Sequence, residues 1–339
     1  MAAAPLLEIE NLSTHYVSAQ GRRVIRAVEG VSLSIGARET LGIVGESGSG
    51  KSTLALSVVR LLPPSARIAS GRLLFEGEDL LQKSEAEMRR LRGRRIAMIL
   101  QDPMASLNPL FTVGDQVAEP IRVHEHASRA TAWRRALDLL KAVRIASPDT
   151  RLRQYPHEMS GGMRQRIVGA IGISCEPRLL IADEPTTSLD LTIQAQYLNL
   201  LRELQQAHGL ALIFITHNLG IVAKMCDQLA VMYAGRVVEA GPVRQIFNAP
   251  AHPYTQALLN SIPRLSDSRH RLTAIDGQPP DLGMMAPGCA FAPRCTRAFD
   301  RCRSTAPPQT SMDDGRKVRC WLAAAGPADV ADAVKSGAA

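Results

Sequence analysis

The segment Gly45-Glu46-Ser47-Gly48-Ser49-Gly50-Lys51-Ser52 constrains this chain more than any other, because it fits the pattern G-x-x-x-x-G-K-[ST]. It follows the apolar run Leu41 to Val44 and precedes the helix-forming run Thr53 to Leu62. Strand, loop and helix therefore stand in the order that phosphate binding needs. Glycines let the backbone curl until several N–H groups point inward, and the helix start adds its positive end. The result is an anion nest for a β-phosphate, spanning Gly45, Glu46, Ser47, Gly48, Ser49, Gly50, Lys51, Ser52 and Thr53. Lys51 is expected to reach the β and γ oxygens, and Ser52 a Mg²⁺ ion.

The surrounding pattern predicts an α/β fold with a parallel sheet. Compact apolar runs at Leu41 to Val44, Ile96 to Leu100, Leu179 to Ala182 and Leu210 to Ile215 suit strands buried on both faces. Helical patterns lie between them, over Lys51 to Leu62, Thr131 to Val143, Met163 to Ile173 and Ile193 to Ala207. Before the loop, Leu7 to Glu10 and Val31 to Ile35 alternate, and with Leu73 to Phe75 they read as an antiparallel sheet. A mostly helical insertion begins at the turns Asp102-Pro103 and Asn108-Pro109 and interrupts the strand alternation. From about Pro242 the chain turns proline-rich, which predicts a loop-rich extension and then an Ala/Gly-rich disordered tail.

A phosphate loop alone does not separate kinases, GTPases and motor ATPases, so the discriminating residues lie downstream. The buried run Leu179 to Ala182 ends in Asp183 and Glu184, which suits one carboxylate ordering Mg²⁺ and one aimed at an attacking water. The run Ala211 to Thr216 delivers His217 at its carboxyl end, where α/β sheets place ligands. The Ser160-Gly161-Gly162 turn precedes the helical run Met163 to Ile173 and makes a second anion-binding helix start on the same chain.

Together these residues resemble the ATP-binding cassette (ABC) ATPase family over nearly the whole first 245 positions. The decisive element is Met159-Ser160-Gly161-Gly162-Met163-Arg164-Gln165-Arg166, similar to the family's Leu-Ser-Gly-Gly-Gln, with Met159 and Met163 as departures outside the Ser-Gly-Gly core. The resemblance implies a P-loop ATPase with a RecA-like parallel core, an antiparallel β subdomain and a helical subdomain over about 102–165. It implies that the signature closes on ATP held by a second cassette, so that two cassettes sandwich two nucleotides. Gln101 resembles the Q-loop residue touching Mg²⁺, Asp183 the Mg²⁺-ordering carboxylate, Glu184 the general base and His217 the switch histidine. Ser188-Leu189-Asp190 resembles the loop crossing the dimer interface, and Tyr16 the aromatic stacked on adenine.

The segments Ala251-His252-Pro253-Tyr254-Thr255 and Ile275-Asp276-Gly277-Gln278-Pro279-Pro280 resemble the C-terminal extension of bacterial oligopeptide and dipeptide importer ATPases. That divides the chain into a nucleotide-binding domain over 1–245, an extension over 246–322 and a tail over 323–339. Four of the six cysteines fall in the extension: Cys289, Cys295, Cys302 and Cys320. Clustered cysteines in a reducing compartment point to metal. The spacing lacks the C-x₂₋₄-C pairs of zinc fingers, and the subfamily resemblance implies a [4Fe-4S] cluster, with zinc as the alternative. Cys175 and Cys226 lie in apolar helical contexts and read as core residues.

Composition narrows the function classes. Mean hydropathy is -0.04, and 40 Lys+Arg against 32 Asp+Glu leave +8, dispersed along the chain, so neither disorder nor a nucleic-acid surface is the reading. No apolar run approaches the ~18 residues of a membrane helix, and the start lacks a secretory pattern. The expected role is an ATPase on the cytoplasmic side of the bacterial inner membrane, peripheral to it and powering peptide import. Its expected partners are a second ATPase subunit, a paralogue, two membrane permease subunits and, through them, an extracytoplasmic peptide-binding protein, with no nucleic acid. The competing readings are a soluble ABC ATPase acting on nucleic acid or ribosomes, and an importer of nickel, glutathione or opines.

Overall fold

The computed structural model describes residues 4–18, 23–187, 189–261 and 275–324 of the chain. Its strands are β1 (Leu7–Val17), β2 (Val24–Ile35), β3 (Thr40–Val44), β4 (Ala66–Phe75), β5 (Glu78–Asp79) and β6 (Ile96–Ile99). They continue with β7 (Leu179–Asp183), β8 (Ala211–Ile215), β9 (Gln228–Tyr233), β10 (Arg236–Pro242), β11 (Thr310–Ser311) and β12 (Lys317–Val318). One sheet runs β2-β1-β4-β5 and is antiparallel, as the alternation near the amino end predicts. The other runs β11-β12-β10-β9-β3-β8-β7-β6.

Every residue of β3, β7 and β8 is buried, which is why these strands read as continuous apolar runs. Successive side chains point to opposite faces, so each strand feeds two cores. Ile181, Ile213 and Ile215 join Leu7, Ile9, Val31, Leu54 and Val58 beneath the antiparallel sheet and the helix Lys51–Val58. Leu180, Ala182, Leu212 and Phe214 face the helices Gly161–Ile173 and Leu191–His208 through Ile167, Leu198 and Leu204.

The insertion contains the helices Val113–Glu125 and Arg129–Ala142. The second begins two residues before the predicted Thr131, because Ser128 caps it by accepting from the Thr131 N–H. The first has no counterpart in the sequence reading. Pro120 lies inside it and hides a stripe of Val113, Val117 and Ile121 at spacing four.

The extension is less loop-like than its prolines predict. It supplies the helix Pro253–Asn260, and β12 pairs antiparallel with β10, extending the central sheet. Phe291 packs 5.3 Å from both Tyr233 and Tyr254, ring centre to ring centre, inside a core shared with β9. The two-residue strands β11 and β12 are too short to show a period. Of the predicted tail, Ala323 and Ala324 lie in the short helix Trp321–Ala324, and residues 325–339 lie outside the described residues.

A buried charge anchors this extension. Glu239 on β10 is fully buried and accepts from the N–H groups of Ala251 and His252, both at 2.9 Å. The Arg316 guanidinium, also buried, lies 3.4 Å from it and donates to the Ala249 carbonyl as well. Breaking such a pair leaves a charge without its counterion. Arg316→Met is expected to lower unfolding stability by about 3 kcal/mol, read as the guanidinium midpoint of the full chain.

Candidate active site

The phosphate loop leaves β3 where two carbonyls crowd it. A Cβ at Gly50 would stand 2.1 Å from the Ala27 oxygen, at a φ of +100°, and one at Gly45 would stand 2.2 Å from the Met232 oxygen. Only glycine fits either position. Ser47, Gly48 and Ser52 are exposed at the mouth of the loop, whereas Ser49 and Lys51 are buried. The Lys51 ammonium donates to the Gly45 carbonyl at 2.8 Å, the Glu46 carbonyl at 2.9 Å and the Ser49 hydroxyl at 3.4 Å. Burial pushes its pKa down, and the carboxylates of Glu184, Asp183 and Glu46 oppose that fall. The lysine is thus held by its own loop, and incoming phosphate oxygens can replace those acceptors.

Parallel pairing brings the other predicted residues to the same edge. Asp183 ends β7 opposite Ile215 of β8, and Ile43 of β3 pairs with Ile215 as well. Asp183 is 4% exposed and its Oδ1 has no hydrogen-bond partner among the described residues. Burial pushes its carboxyl pKa up, countered by a hydrogen bond from Ser52 and by Lys51. An orphaned carboxylate oxygen beside the Ser52 hydroxyl is the kind of oxygen pair that fits Mg²⁺.

Glu184 follows with a φ of +46°, a left-handed conformation unusual for glutamate. Its Oε2 accepts from Gln101 Nε2 at 3.2 Å and from the Thr187 hydroxyl at 3.0 Å, and lies 3.3 Å from His217 Nδ1. Gln101, Glu184 and His217 therefore meet, although they are far apart in the sequence. Thr187 is a member of this cluster that the sequence reading missed; it stands three residues after Glu184, where turn geometry returns it.

Tyr16 sits on β1 with its hydroxyl 3.3 Å from that of Thr53 at the start of the Lys51–Val58 helix. Ser160 caps the helix Gly161–Ile173, accepting from the Met163 N–H at 3.3 Å. Gly161 is exposed and open around its Cα, while a Cβ on Gly162 would meet Ile193 at 2.8 Å. Asp190 caps the helix Leu191–His208, accepting from the N–H groups of Thr192 and Ile193. Ser188 lies outside the described residues.

Cys289, Cys295, Cys302 and Cys320 line one apolar cavity together with His252, Phe291 and Trp321. Burial first, then mutual repulsion among the sulfurs, pushes the Cys289 and Cys295 thiols up and Cys320 to about 11. His252 is buried, which lowers its pKa to about 3. Its Nδ1 accepts from the Tyr254 N–H, and its Nε2 has no partner among the described residues. The four thiols and the His252 ring thus share the lining of one cavity. No three His, Cys, Asp or Glu side chains stand close enough to hold a metal ion among the described residues, so the expected iron–sulfur or zinc site is not a closed ligand set here. Cys175 and Cys226 are packed in the cores, with burial raising both thiols, Cys226 to about 12.

Residues 28–187 match the model of the ABC transporter family, and residues 238–302 match the model described as the oligopeptide/dipeptide transporter C-terminal region. A probable peptide ABC transporter ATP-binding protein of Sinorhizobium fredii is 50% identical over 93% of this chain and 94% of its own. The dipeptide transport ATP-binding protein DppD of Bacillus subtilis is 49% identical over 94% of each. Among solved structures, cbiO1 of Clostridium perfringens, described as part of the ABC transporter complex cbiONQ, has a TM-score of 0.62. It is 29% identical, over 73% of this chain and 92% of its own. A dimeric bacterial ABC transporter cassette has a TM-score of 0.63 at 25% identity, over 70% and 99%.

Proposed function

The chain belongs to the ABC transporter family as an ATP-hydrolysing cassette, and from that premise we propose that it powers the import of di- or oligopeptides across a bacterial inner membrane. One observation carries the peptide assignment: the segment over 238–302 is similar to the C-terminal region of oligopeptide and dipeptide transporters and is continuous with the cassette. No helix among the described residues is long and apolar enough to cross a membrane. The cassette works by joining membrane permease subunits on the cytoplasmic side, with a second cassette, a paralogue, completing the ATP sandwich. The exposed side chains of Met104, Leu110, Phe111 and Tyr155 on the insertion offer apolar surface to a permease. The peptide reaches the permeases from an extracytoplasmic binding protein.

In the working site, the loop N–H groups and Lys51 hold the β- and γ-phosphates, and Tyr16 stacks on adenine. Ser52, Gln101 and Asp183 would hold Mg²⁺, and that ion would supply positive charge against the phosphates. Glu184 orients the attacking water and takes its proton, and His217 and Gln101 fix the carboxylate. Ser160, Gly161 and Gly162 serve the partner's nucleotide, with Asp190 at the seam between cassettes. Residues 1–245 form the ATPase unit, with its helical subdomain over about 102–165, and 246–322 form the extension, whose four thiols, drawn together, would hold the expected [4Fe-4S] cluster as a cross-link.

Glu184→Gln should retain ATP binding while slowing turnover of the reconstituted transporter by about 10² or more, the contribution of a positioned base. An unchanged phosphate-release rate rejects the assignment. Ser160→Arg should silence the assembled transporter yet leave ATP affinity of the isolated chain intact, as titration calorimetry would show; loss of affinity in the isolated chain defeats the composite site. Anaerobically purified protein should be brown and contain about four irons and four sulfides per chain, and Cys295→Ser should lose the colour. Stoichiometric zinc without iron would replace the cluster by a zinc site.

A further inference from the structure

Glu46, the second residue of the phosphate loop, is gripped by the extension from across the chain. Its carboxylate takes a bidentate pair from Arg294, at 2.8 Å from Nη1 and 3.0 Å from Nη2. Its backbone N–H donates to the Tyr254 hydroxyl at 3.0 Å, and its carbonyl accepts from Lys51. Arg294 ends the turn Ala292–Arg294, immediately before Cys295, and its side chain is 6% exposed. A guanidinium has five N–H donors, and Arg294 uses every one. Nε donates to the Asp276 carbonyl at 2.9 Å, Nη1 also to the Tyr233 hydroxyl at 3.2 Å, and Nη2 also to the Ile275 carbonyl at 3.2 Å. Such a planar, fully engaged fork cannot be reproduced by the point charge of a lysine.

The carboxylate of Glu46 stands on a loop built to receive a polyphosphate. Left uncompensated, it repels that ligand; paired with Arg294, it is neutralised and fixed in place. We infer that Arg294 is a positioning residue of the nucleotide site, and that the cysteine-bearing extension sets ATP affinity by clamping Glu46. The inference rests on the proposed reading of Gly45 to Thr53 as the ATP site. It goes beyond that reading in making the extension part of the site. It also gives the order of the cysteine-bearing segment a route to the phosphate loop through one residue of the backbone.

The test is a double-mutant cycle on the full chain, with ATP titrated calorimetrically in EDTA so that no turnover occurs. Arg294→Ala should weaken ATP binding about 5-fold or more, the lower end of couplings between sites. Arg294→Lys should fall between Ala and the parent. Glu46→Gln introduced into Arg294→Ala should recover affinity, because the unpaired carboxylate is removed. A purely structural clamp would lower the melting temperature in both backgrounds and show no such recovery. Parental affinity in both Arg294→Ala and Arg294→Lys, or no recovery in the double variant, overturns the inference. Should Arg294→Ala fail to fold, Arg294→Lys alone and with Glu46→Gln carries the same comparison. Lys51→Ala separates the two readings: if it binds ATP like the parent, the ATP site itself is misassigned, whatever Arg294 does.

Discussion

Parallel pairing of fully buried strands is the constraint on which the rest of this structure depends. Because β3 pairs with β8, and β8 with β7, the loops that leave these strands emerge at one edge. The phosphate loop after Val44, the carboxylates at Asp183 and Glu184, and His217 after Ile215 are thereby delivered to one place without any local sequence link. β6, paired with β7, adds Gln101 two residues beyond its end. Burial on both faces fixes the register, since a one-residue slip would turn every side chain to the opposite core. The candidate site is therefore positioned by strand residues that are themselves wholly buried.

A second constraint is electrostatic. The extension reaches the core sheet through the buried Glu239 and reaches the phosphate loop through Glu46, each paired with an arginine of the extension. Neither carboxylate is placed in the hydrolytic chemistry. The Glu239 pair is buried and the Glu46 pair half-buried, and each fixes one arrangement among several that apolar packing alone would allow. The aromatic cluster of Tyr233, Tyr254 and Phe291 packs beside the Glu46–Arg294 pair, and its two tyrosine hydroxyls bond to that pair.

The fold was legible where one periodicity or one pattern spans an element. The strands β3, β7 and β8 read as unbroken apolar runs, and the loop at Gly45 to Ser52 carries its own flanking elements. The helix over Val113–Glu125 was hidden by Pro120, and β11 and β12 are too short to have a period. In the site, Asp183, Glu184, Gln101 and His217 could be named because each ends or follows a readable strand. Arg294 could not. It sits 248 positions from Glu46, in a segment without periodicity, and nothing in a sequence says which arginine will meet which glutamate. Long-range ion pairs are consequences of the fold and carry no local signal.

The arrangement around Glu184 suits the base role proposed for it. Gln101, Thr187 and His217 all approach Oε2, and no hydrogen bond to Oε1 occurs among the described residues. Tying one oxygen fixes the plane of the group and leaves the other as an acceptor, which is what a base aimed at water requires. The left-handed backbone at Glu184 serves the same end, because an extended residue there would continue β7 and carry the side chain along the strand. The turn instead lifts Glu184 out of the sheet, while its N–H still donates to the Ile215 carbonyl at 3.0 Å and stays locked to β8. The conformational cost is thus met by a hydrogen bond to the same strand that brings His217, and the two halves of the proposed hydrolytic apparatus are held by one backbone link.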